Sequence, residues 1–68
     1  MKYQVGDLIN NKWGNVDKLG YIVKVCERSE YLAIVFFQSS DVQHTFSFSG
    51  FERYYKVINE PNNQPTII

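Results

Sequence analysis

The stretch YLAIVFF, residues 31–37, is a run of seven apolar or aromatic residues in a chain of 68. A β-strand presents its side chains alternately to two faces, so this run offers hydrophobic surface to both sides of a sheet. We expect a third strand over residues 30–38, with Leu32, Ile34 and Phe36 facing the core. The alternate residues then form an outward apolar stripe: Tyr31, Ala33, Val35 and Phe37. Something must cover that stripe, because monomeric proteins rarely expose a large contiguous apolar patch.

Length and composition indicate one small domain. A chain of this size buries roughly 60% of the surface that its unfolded state exposes. The five Phe, five Tyr and one Trp are many for this length, and each aromatic side chain buries roughly 150–250 Å². We therefore expect a folded domain over residues 1–58. The polar, proline-containing residues 59–68 are predicted to be a flexible tail.

Charge and cysteine content narrow the class of protein. Seven Lys and Arg balance seven Asp and Glu, and no basic run is present, which lowers the expectation of nucleic-acid binding. Cys26 is the single cysteine, so no internal disulfide can form. No leader and no apolar stretch near 18–20 residues occurs. These features favour a soluble intracellular protein without a membrane partner.

Apolar residues outside the opening stretch also recur with period two, which is typical of strands. Strands are predicted at residues 7–10, 20–27, 42–48 and 54–58. Phe46 and Phe48 are predicted to face inward on the fourth strand, and on the fifth Tyr55 and Val57 face inward while Lys56 faces outward. Residues 10–18 are predicted to form a long loop, residues 27–30 a tight hairpin, residues 38–41 a turn and residues 49–53 a single helical turn. Within the second strand, Lys24 marks the solvent face. This phase predicts Tyr21, Val23 and Val25 inside, and Ile22 and Cys26 outside.

Five short strands with a long first loop and a one-turn helix before the last strand describe an all-β fold, a small five-stranded SH3-like barrel. Four pieces carry a resemblance to a known family: VGDLI (5–9), LGYIVKV (19–25), LAIVFF (32–37) and FERYYKVI (51–58). They resemble the short SH3-like barrel proteins of tailed bacteriophages and, more loosely, KOW and Tudor-type barrels. The phage resemblance implies an accessory protein that is virion-associated or binds a host protein. Its location would then be the host cytoplasm or the virion.

Residues for catalysis or metal binding are few. Cys26 and His44 are the only candidates for a thiol–imidazole pair, and they lie on strands that need not be neighbours. A structural zinc site needs about four Cys or His ligands, and no glycine-rich phosphate loop is present. We expect a protein that is not an enzyme and uses no cofactor.

Binding is the expected activity, since interfaces favour exposed Tyr, Trp, Phe and Arg. Trp13 lies in a loop too polar to bury it and either folds over the barrel mouth or binds a partner. Tyr54, beside Arg53, is predicted to share its surface. The predicted partner-binding residues are Trp13, Ile22, Tyr31, Val35, Phe37 and Tyr54.

Three coverings of the apolar stripe remain open: the termini of the chain, a second copy, or another protein, whether a virion component or a host target. The tail would be idle or would add a strand to a neighbouring sheet. The alternative function is a KOW-like barrel that binds nucleic acid or the ribosome, with Trp13 and a Tyr stacking on bases. This function requires that six basic residues lie together on one side of the barrel: Lys12, Lys18, Lys24, Arg28, Arg53 and Lys56.

Overall fold

The structure, a computed structural model, describes residues 2–58. Five strands form one antiparallel sheet in the order β4-β3-β2-β1-β5. The strands are β1 (Leu8–Asn11), β2 (Gly20–Cys26), β3 (Tyr31–Phe36), β4 (Ser39–Ser47) and β5 (Tyr55–Val57). A 3₁₀ turn (Val16–Lys18) precedes β2, and helix α1 (Phe48–Tyr54) joins β4 to β5. The mostly β architecture is confirmed; within residues 2–58 the sheet is open, with β4 and β5 at its edges.

The predicted inward face of β3 is confirmed. Leu32 and Ile34 have no exposed surface, and Phe36 is also buried. They pack in one core with four further residues, Tyr3, Ile9, Ile22 and Phe51. Phe46, Phe48, Tyr55 and Val57 pack against this core, as predicted from their strand phase. Burial of aromatic area stabilises a chain that is too short to build a large aliphatic core.

The predicted phase of β2 is wrong at its start. The pairing of β2 with β3 shifts between Ile22 and Lys24, so Val23 is an extra residue in the ladder. Such a bulge reverses the alternation of side chains on its two sides. Lys24 is exposed and Val25 packs on the core as predicted. Ile22 is completely buried instead of facing outward, and Tyr21, predicted inside, pairs with Val35 on the outer face of the sheet.

The outward stripe of β3 is largely covered by the chain itself. Ala33 and Val35 are only 2% and 3% exposed, so the prediction that they form an open surface is wrong. Val35 is paired with Tyr21, whose ring centroid lies 5.2 Å from that of Phe37. Small side chains on a pleated sheet are shielded when larger side chains stand beside them on the same face. The larger neighbours therefore cover most of the apolar stripe.

The turns between strands differ in how well sequence predicted them. The hairpin over residues 27–30 is confirmed, with Glu30 N–H donating to the Glu27 carbonyl at 3.2 Å and Glu30 in the left-handed region (φ 56°). The next turn was predicted at residues 38–41. It consists instead of Phe37 and Gln38, because Phe36 of β3 already pairs with Ser39 of β4. Residues 59–68 and Met1 lie outside the described residues, and with them the predictions for the tail.

Helix α1 is longer than the single turn predicted at residues 49–53. Ser47 is its N-cap, and its Oγ accepts a hydrogen bond from Gly50 N–H at 3.0 Å. This cap allows the helix to begin at Phe48, which was predicted to end the preceding strand. Phe51 is consequently carried into the core, where it is 1% exposed.

Candidate functional site

Two of the predicted binding residues form an exposed aromatic pair. Trp13 is 68% exposed and Tyr54 is 48% exposed. Their ring centroids lie 6.4 Å apart with an angle of 32° between the ring planes. We call these two residues the Trp13–Tyr54 pair. Trp13 therefore stands in solvent beside Tyr54 and does not cover the end of the core.

Backbone hydrogen bonds position the pair. Lys12 N–H donates to the Tyr54 carbonyl at 2.9 Å, which continues the β1–β5 ladder and brings Trp13 beside the end of α1. Asn11 is buried and its side-chain Oδ1 accepts from Asn15 N–H at 3.0 Å. The loop is thus fixed at its base while its aromatic side chain remains exposed. A loop backbone that is already held in place loses little conformational entropy when it binds, which favours the use of Trp13 in an interface.

Basic residues are neighbours of the aromatic pair in the chain. Lys12 and Arg53 are the chain neighbours of Trp13 and Tyr54, and both are exposed. Lys56, also exposed, lies in β5, two residues after Tyr54, which is the last residue of α1. Two of the other basic residues lie over different rings, Lys18 over Phe36 at 5.1 Å and Lys24 over Tyr31 at 5.7 Å. The basic residues therefore converge on the pair only in part.

The other four predicted binding residues differ from one another in their exposure to solvent. Phe37 is 55% exposed in the turn between β3 and β4, where it contacts Tyr21. Tyr31 is half-buried under Lys24. Ile22 and Val35 are buried, so they cannot be part of an open docking surface. The bulge in β2 and the shielding of β3 are tertiary effects that a single-sequence pattern does not show.

The structure does not bring Cys26 and His44 together. Cys26 pairs with Tyr31 at one end of the sheet, whereas His44 pairs with Ile34 and its ring lies 5.0 Å from Phe36. Hydrogen bonding from Ser29 is the main cause that lowers the pKa of the Cys26 thiol. No group of three or more His, Cys, Asp or Glu in residues 2–58 is arranged to hold a metal ion.

A second polar arrangement, which the sequence analysis missed, joins residues near the N-terminus of the chain to Glu52 of α1. Tyr3 is 5% exposed, and its ring packs edge-on against Phe48 and Phe51. Its hydroxyl donates to Glu52 Oε2, and Lys2 Nζ lies 2.6 Å from the same oxygen. Burial, then the hydrogen bond to Glu52, raises the pKa of Tyr3 well above its ordinary value. Hydrogen bonds from Lys2 and then Tyr3 lower the pKa of Glu52.

These shifts predict how stability depends on pH. Glu52 has its pKa lowered by folding, so its contribution is present above the unfolded-state pKa and is lost as pH falls through the folded-state value. Tyr3 has its pKa raised, so its contribution is complete below its ordinary pKa of 10.0, begins to fall above that pH and is lost as pH rises through the higher folded-state value. Tyr3→Phe should cost about 1–2 kcal/mol near neutral pH, because a charge-assisted hydrogen bond to a partly hydrated carboxylate is removed. It should also flatten the alkaline fall in stability.

Urea denaturation of the wild type and Tyr3→Phe between pH 3 and pH 11 measures both effects. Tyr54→Phe is the matched control, since Tyr54 is exposed and its ring contact with Trp13 survives the loss of the hydroxyl. Equal alkaline slopes for Tyr3→Phe and the wild type would contradict the role given to the Tyr3 hydroxyl.

Comparisons of the chain with protein-family models, with curated proteins and with solved structures found no match. Neither helix within residues 2–58 has the length and apolar character to cross a bilayer.

Proposed function

We propose that the chain is an SH3-like barrel that works as a non-enzymatic protein-interaction module, with the Trp13–Tyr54 pair at the centre of its contact surface. The observation that carries the proposal is the pair itself: two large rings, both exposed, held side by side by the β1–β5 ladder. Trp and Tyr are the residue types that most often dominate binding energy in protein interfaces.

The fold supports the barrel part of this proposal. A long loop between β1 and β2, tight hairpins among β2, β3 and β4, and a helix before a last strand that pairs with β1 suit an SH3-like barrel. The two edges of the sheet also approach each other through side chains, since the Phe46 and Tyr55 ring centroids lie 5.4 Å apart. Together with the phage-type sequence motifs, this favours a phage accessory protein that joins the virion or binds a host protein.

Trp13→Ala is expected to weaken binding strongly without unfolding the protein. Truncating a central interface Trp commonly costs 2 kcal/mol or more, which corresponds to a loss of affinity of about 30-fold. Because Trp13 is 68% exposed, the free energy of unfolding should change by only about 0.5 kcal/mol. The measurements are the affinity for a partner captured from infected cells and the urea midpoint of each variant.

Matched variants sharpen this test. Tyr54→Ala should weaken the same complex, whereas Val42→Ala, at an exposed apolar position on the opposite edge strand, should leave it unchanged. Trp13 is the only Trp in the chain, so its emission should shift to shorter wavelength when the partner binds. A complex that forms equally well with Trp13→Ala and Tyr54→Ala would refute the proposed surface.

The observation that supports the nucleic-acid alternative is that an exposed basic residue precedes each member of the aromatic pair in the chain, Lys12 before Trp13 and Arg53 before Tyr54. Base stacking on aromatic rings, with nearby cations on phosphates, is the usual arrangement for single-stranded nucleic acid. To decide between protein binding and nucleic-acid binding, Trp13 emission is followed while single-stranded DNA or RNA oligonucleotides are added at two salt concentrations. Quenching that weakens steeply with salt would favour nucleic acid.

A further inference from the structure

Strand β5 lies at an edge of the sheet and pairs only on one side within residues 2–58. Lys12 N–H donates to the Tyr54 carbonyl, and Ile58 N–H donates to the Leu8 carbonyl. Backbone groups in an antiparallel strand alternate between its two sides. Tyr55 and Val57 therefore direct their N–H and C=O groups away from β1.

Three of these four outward groups have no partner in the described part of the chain. Tyr55 N–H caps helix α1 by donating to the Phe51 carbonyl. The Tyr55 carbonyl and both backbone groups of Val57 have no hydrogen bond within residues 2–58. A row of unpaired backbone groups along a strand is a template for another strand.

An open cleft runs along the same edge. Its volume is about 470 Å³, and all three residues of β5 line it. The half-buried Tyr55 and Val57 supply most of its apolar surface, and Tyr3 and Phe51, which are buried in the core, also line it. We call this arrangement the β5 edge cleft.

The charges of the cleft indicate what would occupy it. Lys2 and Lys56 both line it, against one acidic residue, Glu52. Glu52 is already bound by Lys2 and by the Tyr3 hydroxyl. Lys56 is exposed and forms no ion pair within residues 2–58. The cleft therefore has an unmatched positive charge beside its apolar surface.

We propose that the β5 edge cleft binds an extended segment of another protein by strand addition, with apolar residues facing the cleft and an acidic residue opposite Lys56. In an antiparallel addition, Tyr55 and Val57 form the hydrogen-bonded pairs. Lys56 forms the intervening pair, in which side chains approach more closely. A second copy is a poorer occupant, because centred pairing of two β5 strands sets Lys56 against Lys56. This site does not depend on the Trp13–Tyr54 pair.

The test uses the full chain and a capped peptide, acetyl-STVEVTS-amide, followed by amide NMR. The two valines would face the cleft and the glutamate would lie opposite Lys56. Binding should shift the amide signals of β5 and slow hydrogen exchange at Val57 N–H by at least about tenfold at saturation. Replacing the peptide glutamate by lysine should weaken binding about fivefold, and Lys56→Glu in the protein should reverse that preference.

Methylated peptides provide the geometric control. N-methylation of the valines removes amides that must bond to β5 and should abolish binding, whereas N-methylation of the glutamate should be tolerated. Lys56→Gln tests the charge if Lys56→Glu does not fold. Trp13→Ala should bind the peptide normally, which separates this site from the proposed function.

Three results would overturn the proposal. The first is a failure of the glutamate peptide to shift β5 at millimolar concentration. The second is equal binding of the valine-methylated and unmethylated peptides. The third is strong protection of Val57 N–H in the free chain, which would mean that the chain itself or a second copy already covers the edge; sedimentation distinguishes the two.

Discussion

Phe51→Ala should leave little folded protein at 25 °C. Phe51 is the largest fully buried side chain, and its ring contacts those of Tyr3, Phe46 and Tyr55. Truncation of a buried Phe costs about 3–5 kcal/mol through lost burial and the remaining cavity. A domain of this length has a total stability of only about 3–10 kcal/mol. Far-UV circular dichroism with urea denaturation measures the loss.

The matched control for this variant is Phe37→Ala, which removes the same atoms at a position that is 55% exposed. Its cost should be about 0.5–1 kcal/mol, mainly from the lost contact with Tyr21. If the two variants unfold at similar urea concentrations, Phe51 is not the residue that joins the helix to the sheet.

Gly20→Ala should destabilise the protein by about 3 kcal/mol or more, although it adds only one methyl group. A Cβ at Gly20 would lie 2.1 Å from the Val35 carbonyl oxygen and 3.0 Å from Phe36 Cα. Both obstacles are backbone atoms of β3, and Gly20 also pairs with Ile9 of β1 on its other side. Relief of the clash would require the central strands to separate, which breaks ladder hydrogen bonds.

Gly6→Ala separates this steric effect from backbone strain. Gly6 has φ +97°, and a Cβ there would meet no heavy atom within 4 Å. Its substitution should therefore cost only the roughly 1–2 kcal/mol of an unfavourable φ. Thermal unfolding of both variants is the measurement, and a cost for Gly20→Ala no larger than that for Gly6→Ala would contradict the close approach of β2 and β3.

The candidate binding surface is smaller than the one predicted. Sequence identified Trp13 and Tyr54 because each is aromatic within a polar or charged stretch, and their exposure is confirmed. Sequence also predicted that Tyr54 shares the surface of Trp13, but the ring contact itself depends on the pairing of β1 with β5. Ile22 and Val35 were assigned to the surface by counting alternate residues, and both are buried.

The unbroken apolar run of β3 was enough to predict a central strand with Leu32, Ile34 and Phe36 in the core, because period-two alternation is a local property of the backbone. Likewise, local patterns predicted the hairpin at 27–30, the exposed Lys24 and Lys56, and the inward Phe46 and Tyr55. The chain by itself thus determined which segments are strands and most of their faces.

Two features of the core were decided only by the tertiary structure. The bulge at Val23 places Ile22 in the core, and the insertion of Tyr3 against Phe48 and Phe51 completes that core from the N-terminal side. Each depends on space left by residues distant in sequence. Periodicity records which face a side chain takes relative to its neighbours in the chain, whereas burial is set by the strands and side chains that pack beside it.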